Sequence, residues 1–416
     1  MKKLTQLFIA LGFTTLIAGC GSTEEKAGAS MKIADGVEYG ETDYKQIAEA
    51  NNILGMKLLK DLSAREDGNI FVSPTSLYMA LAMVYNGADG VTKEEIAKVL
   101  ETEGLSPDDM NRANASLIAK LASDSGAIEL NIANSIWAKD SYQYLQSFRE
   151  SSQDYFNAEV ETMDITDPAS AKAINEWVDK ETNGRIDKMV ESPLSEDLAV
   201  ILLNAIYFNG TWQYTFIEKM TEEQPFYPSD GSTTEVPLMV LEEELAYMET
   251  DQFQAVALPY GEGEMNMHVF LPAENSSLDE FKSSLDNETW SDWMKNFESR
   301  EGLVKLPKFE LEYEVNLNET LQDFGMETAF NYVDLSRMFE TSNDLFISEV
   351  KQKTFVNVSE EGTEAAAVTS VAVDTESATA DEEPPFELIV NRPFFFAITD
   401  EETGVILFMG SIENPV

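Results

Sequence analysis

EEGTEAAAVTSVAVD, residues 360–374, is the stretch on which the reading of this chain turns. It holds one Gly, three consecutive Ala, two Thr, one Ser and three Val, with no Pro and no large side chain. Laid out as a strand, its side chains alternate between two faces. Thr363, Ala365, Ala367, Thr369, Val371 and Val373 form one face, which can be buried because its only polar atoms are hydroxyls. Glu364, Ala366, Val368, Ser370, Ala372 and Asp374 form the other, acidic at both ends. So few large side chains make a weak anchor, and the segment reads as a strand able to slide into a sheet. The polar TESATADEE and Pro384-Pro385 that follow suggest an exposed loop returning to the body.

Around this stretch the composition is that of a folded, very acidic protein. Apolar residues make up 43% of the 416, enough for a substantial core and too many for general disorder. Against 28 Lys and Arg stand 76 Asp and Glu, a net charge of -48. Such a surface repels nucleic acid, heparin-like polyanions and anionic lipid headgroups. The acids are scattered and not gathered in a tail, which points to a solvated coat suited to a high-salt, halophilic habitat, with a merely acidic mesophile as the alternative.

Lys2 and Lys3 precede an apolar run over 4–18 that ends in Gly19-Cys20, the pattern of an export signal and not of a spanning helix. LIAGC at 16–20 resembles a bacterial lipobox, which implies a lipid on Cys20, the only cysteine. The expected organisation is a signal peptide over 1–19, a lipidated Cys20 with a flexible tether over 20–42, and one domain over 43–416. The protein is then exported and held by its lipid on the extracytoplasmic face of a membrane, at the cell surface or in the periplasm.

Within the body, an amphipathic helix is expected from Tyr44 to Leu62, a short strand over 69–72 and a buried helix over 75–85. Helices follow over 92–100, 111–122 and 170–179, with strands over 130–137 and 198–208. From about 225 the chain is strand-rich and punctuated by Pro. Helices early, strands late and no regular βα alternation indicate a single large α+β domain. A solute-binding lipoprotein, which shares the tether, needs two βα-alternating lobes that this pattern lacks.

The parts list of an enzyme is thin. The single histidine, His268, sits in a strand pattern without a GxSxG elbow, so a Ser-His-Asp hydrolase is disfavoured. One Cys and one His exclude a zinc cluster, Asp108-Asp109 lacks EF-hand spacing, and no phosphate loop appears. No cofactor is called for. The active element is better read as a bait.

EEGTEAAAVTS at 360–370 resembles the hinge of the reactive-centre loop of inhibitory serpins. NIFVSPTSLYMALAMVYNGADGVT at 69–92, INEWVDKETNGRI at 174–186 and NAIYFNGTW at 204–212 resemble further family motifs in order. LPY at 258–260, VKLPKFELEYEVNLNETLQDFGM at 304–326 and NRPFFFAI at 391–398 continue the likeness. The resemblance implies a single domain with three β-sheets, about nine helices and an exposed reactive-centre loop over about 360–385. It also implies suicide inhibition of serine proteases, with cysteine proteases as a further class, by loop cleavage and insertion into the central sheet.

Carried onto this sequence, the hinge is Glu360, Glu361, Gly362, Thr363, Glu364, Ala365, Ala366, Ala367 and Val368. Ser73, Ser76 and Asn204 match the shutter beneath the opening sheet, with Gln352 where the family often has His. Gln donates and accepts hydrogen bonds but does not titrate. Trp212 matches the breach. Counting seventeen residues from Glu360 places the scissile bond at Glu376–Ser377, with Thr375–Glu376 and a bond over 378–380 as alternatives. The implied partner is a Glu-preferring serine protease, or an elastase- or subtilisin-like one. No Lys or Arg lies between residues 360 and 390 to suit a trypsin-like one. The inhibitor is expected to be a monomer. A non-inhibitory member serving as a binding or storage module is the alternative.

Overall fold

The computed structural model describes residues 32–65, 68–122, 126–341, 345–363 and 384–416. In chain order the first half runs α1 (Ala48–Arg65), β1 (Ile70–Val72), α2 (Pro74–Gly87), α3 (Gly90–Val99), α4 (Pro107–Leu121), β2 (Ile128–Lys139), α5 (Gln146–Phe156), β3 (Glu159–Met163), α6 (Pro168–Glu181) and β4 (Val200–Thr211). The next elements are β5 (Glu222–Phe226), β6 (Thr234–Glu249), β7 (Phe253–Tyr260), β8 (Met265–Pro272), α7 (Leu278–Ser284), α8 (Asn287–Met294), β9 (Glu298–Pro307) and β10 (Phe309–Asn316). Last come α9 (Asn318–Asp323), β11 (Ile347–Val358), β12 (Gly362–Thr363), β13 (Phe386–Ile389), β14 (Phe394–Asp400) and β15 (Ile406–Ile412).

This is the expected α+β architecture, with nine α-helices among the described residues. A six-stranded sheet has the order β10-β11-β12-β4-β2-β3. Nine further strands run β1-β15-β14-β8-β7-β6-β9-β13, with β5 beside β6. Those nine form two sheets sharing one strand. Residues 238–247 of β6 pair with β9, and its last four pair with β7. Counted that way, the sheets number three.

Helix α2 shows how the sequence sets up the centre. Ser73 caps it by accepting from the Ser76 backbone N–H, and Pro74 stands at its first turn, where a missing N–H costs nothing. Apart from half-buried Asn86 near its end, all its side chains are buried, as expected for a helix apolar on every side. It packs under the inner face of the six-stranded sheet, where Val200, Leu202, Ile206 and Phe208 of β4 join the main core. The odd-numbered residues Ile201, Leu203 and Ala205 point the other way, into a second core closed by Ile174 and Val178 of α6. Both faces of this sheet are therefore covered, which explains why β4 reads as an unbroken apolar run.

Several boundaries differ from the sequence expectation. The first helix is split: a 3-10 turn over Asp43–Gln46 precedes α1. Helix α4 begins at Pro107 and not at 111, because Ser106 caps it and Asp108 and Asp109 occupy its first turn. Asp167 caps α6 in the same way, moving its start to Pro168. Helices α5, α7, α8 and α9 were not anticipated, so helices are not confined to the early chain.

Candidate functional site

The geometry of interest lies along the seam between β4 and β11. These strands are parallel and pair directly from Ile347–Val200 to Thr354–Ile206. Above that point they separate, and β12 fills the gap. Gly362 and Thr363 pair antiparallel with Thr211 and Gly210 of β4, and Thr363 also pairs with Val358 of β11. The third and fourth residues of the small-residue stretch are thus already seated as a strand. Glu364, Ala365, Ala366, Ala367 and Val368, the Glu376–Ser377 bond and Cys20 lie outside the described residues.

Glycine is needed at the seat. A Cβ on Gly362 would stand 2.1 Å from the Gly210 carbonyl oxygen and 2.8 Å from the Thr211 Cα, both rigid backbone atoms. Gly210 is constrained by side chains instead, since its Cβ would meet the rings of Phe208 and Tyr260 at 2.8 Å.

A latch surrounds the seat. Trp212, just past β4, donates its backbone N–H to Glu361 O at 3.0 Å and its indole N–H to Ser359 O at 2.9 Å. Its ring stacks on Tyr260 with centroids 4.2 Å apart. The Tyr260 hydroxyl lies 2.6 Å from the Thr363 hydroxyl, and both residues are fully buried. Glu360 accepts from Lys308 Nζ and from the Thr221 hydroxyl, each at 2.9 Å. Burial pushes the Glu360 carboxyl up, but the Lys308 ammonium, a backbone N–H and the Thr221 hydroxyl outweigh it and hold it below the usual glutamate value. Phe216 N–H closes the set by donating to Glu360 O at 2.9 Å.

Farther down the seam the structure brings Ser73, Ser76, Asn204 and Gln352 together, all buried. The Ser73 backbone N–H donates to Gln352 Oε1 at 2.9 Å, which fixes the orientation of that amide. Gln352 Nε2 must then donate, and it does so to Ser73 O at 2.9 Å and Asn204 Oδ1 at 2.7 Å. That in turn makes Asn204 Nδ2 a donor, to the Ser76 hydroxyl and to Asn134 Oδ1. One backbone N–H therefore sets the polarity of a chain running from α2 through β11 and β4 to β2. The Gln352–Asn204 bond bridges the two strands directly.

Sequence reasoning missed Asn134, Lys308, Thr221 and Tyr260. Lys308 and Tyr260 lie in motifs read for their resemblance, but their partners are 52 and 103 residues away in the chain. His268 is buried in β8 with Nε2 3.0 Å from the Thr399 hydroxyl, outside the hydrogen bonds of both clusters. Among the described residues, no group of three or more His, Cys, Asp or Glu is placed to hold a metal ion.

A family model described as Serpin (serine protease inhibitor) matches residues 49–415. An uncharacterized serpin-like protein of Methanosarcina mazei is 30% identical, with 100% of this chain and 99% of that protein covered. Serpin B6 of Pongo abelii is 35% identical, covering 89% of this chain and 99% of its own. The crystal structure of a thermophilic serpin, tengpin, in the native state superposes with a TM-score of 0.83 at 32% identity, over 92% of this chain and 97% of that one. The sheets, the seam and the ordered motifs agree with these matches, and the chain belongs to the serpin family.

Proposed function

We propose that this protein is a suicide inhibitor of serine proteases, whose bait is the segment after Thr363. The observation that carries the reading is β12: the two hinge residues that lead into the bait, Gly362 and Thr363, are already paired between β4 and β11. Continuing that register into a cleaved bait sets Ala365 opposite Phe208 and Val356, and Ala367 opposite Ile206 and Thr354. Thr369 then falls between Asn204 and Gln352, where its hydroxyl can take over the bond those residues now make. The odd-numbered bait residues face the main core, as Thr363 does, and the bulkier Val368 turns toward α6. Asp374 reaches Ile347, the first residue of β11, so Glu376 would emerge just past the far end of the sheet.

The chemistry follows from that path. The protease's serine attacks the Glu376 carbonyl, Ser377 leaves as the amine, and an ester joins protease to bait. Insertion replaces one parallel ladder with two antiparallel ones, which are more stable per residue. It carries the esterified protease along the sheet, and distortion of its catalytic groups stalls deacylation. A glutamate leading the bond suits a Glu-preferring protease, and a bond one or more residues away suits an elastase- or subtilisin-like one. Export and a lipid on Cys20 would place the inhibitor outside the cytoplasm, facing secreted proteases.

Incubation with glutamyl-specific, elastase-like and subtilisin-like proteases, followed by denaturing gels, tests this reading. A covalent band at the summed mass is the expected result, and mass spectrometry of the released C-terminal peptide locates the bond. Cleavage without that band would instead mark a non-inhibitory serpin.

A further inference from the structure

Beyond the lower end of the seam, the surface carries a side chain that folding does not explain. Tyr332 is 90% exposed, the most exposed large apolar residue among those described, and neither its ring nor its hydroxyl has a partner there. The backbone beneath it is nonetheless tightly held. Tyr332 N–H donates to Thr328 O at 2.9 Å, at the end of a 3-10 turn over Thr328–Phe330. Thr328 donates its N–H and its hydroxyl to Glu95 Oε2 of α3, at 2.8 and 2.7 Å. On the other side of Tyr332, Asp334 N–H donates to the Thr92 hydroxyl of α3 at 3.0 Å, and Asp334 O accepts from Asp89 N–H at 3.0 Å. Val91, 59% exposed, adjoins the same joint from the α3 side.

The place of this turn gives it a partner. Asn318, the first residue of α9, donates Nδ2 to Ser348 O and accepts from Val350 N–H, both at 2.8 Å. The segment that carries Tyr332 therefore starts beside the first residues of β11, and its 3-10 turn packs against β11 and α3. That is the end of the sheet where the register of an inserted bait brings out Glu376, just past Ile347. A protease joined to Glu376 is held there by its ester at an effective concentration on the order of millimolar, so a small contact suffices to engage it. An aromatic side chain presented by a fixed backbone loses little freedom on docking, as interface anchors do.

We propose that Tyr332, with Val91 beside it, anchors the delivered serine protease by packing against an apolar patch on the protease body. The contact opposes the reorientation that would restore the protease's catalytic groups, and so prolongs the ester. This inference rests on the inhibitor reading, since only insertion brings a partner to this pole.

Hydroxyl-radical labelling of Tyr332, read by mass spectrometry, tests it on three forms of the whole protein. These are the intact chain, the chain nicked in the bait by a metalloprotease, which forms no ester, and the covalent complex. Tyr332 should be labelled alike in the first two and lose its labelling in the third. Complexes of Tyr332→Ala should also decay about tenfold faster than those of the parent, measured by the return of protease activity. Tyr332 labelled in the complex as in the nicked chain, or Tyr332→Ala complexes as long-lived as the parent's, would overturn the anchor alone. Failure of every serine protease to form a covalent complex would overturn the inhibitor reading and the anchor together.

Discussion

The two ends of the β4–β11 seam are built on opposite principles. At the upper end the strands are already apart, and the gap is filled by Gly362 and Thr363 under a latch of ring stacking, a buried hydroxyl pair and one ion pair. At the lower end they touch, held by a parallel ladder, the Gln352–Asn204 bond and the Ser348 hydroxyl accepting from the Ala199 N–H. The upper end resists withdrawal of the bait, and the lower end resists its advance. The resting molecule is therefore poised between two different locks. Weakening one should act differently from weakening the other.

The largest effect should come from opening the lower seam altogether. Nicking the bait frees the residues after Thr363 to pair with both strands. About a dozen new backbone hydrogen bonds at about 1 kcal/mol each should raise Tm by about 15 °C. Calorimetry of nicked and intact protein measures this, and an unchanged Tm would break the comparison at its root. Next in size is Gln352→Leu, which strands the Ser73 backbone N–H and Asn204 Oδ1 without their partner. A loss of about 3 kcal/mol in the intact protein is expected from urea unfolding, with far less change once the bait is nicked and inserted.

At the upper end, Gly362→Val should drive the seat out, since its side chain has backbone on two sides. Hydrogen exchange at Trp212 N–H and Phe216 N–H, which donate into the hinge, should speed up while the lower seam stays protected. Acid acts on the same lock. The folded Glu360 pKa lies below its unfolded value, so its stabilising effect is complete above the unfolded pKa. That effect is lost as pH falls through the folded value, below about 4.3. Hinge amides should therefore keep their protection down to about pH 4 and lose it below, and Glu360→Gln should erase that pH dependence. The smallest change is expected for Tyr260→Phe, which keeps the stack on Trp212 and removes one hydrogen bond to Thr363, about 1 kcal/mol of hinge protection.

What the sequence disclosed follows from how local each feature is. The bait is a contiguous run of small residues, so its alternation and Gly362 could be read directly. The α2 cap at Ser73 and the apolar β4 were equally local. The latch was not, because Lys308, Thr221 and Tyr260 meet the hinge only through strand pairings between distant segments. Asn134 was hidden for the same reason, as nothing near it in β2 announces a partner on β4. The late helices α7 and α8 did carry their signals, Ser277 and Asp286 as caps, but the surrounding strand-like stretches masked them.

Strand addition is ordinarily slow at the outset, since the first pairing fixes chain without reward, and quick thereafter. Here Gly362 and Thr363 have taken that step before any protease arrives. On the proposed mechanism, the contest between zipping and hydrolysis would thus begin with a head start, its pace set by how readily each further rung displaces the one holding β4 to β11.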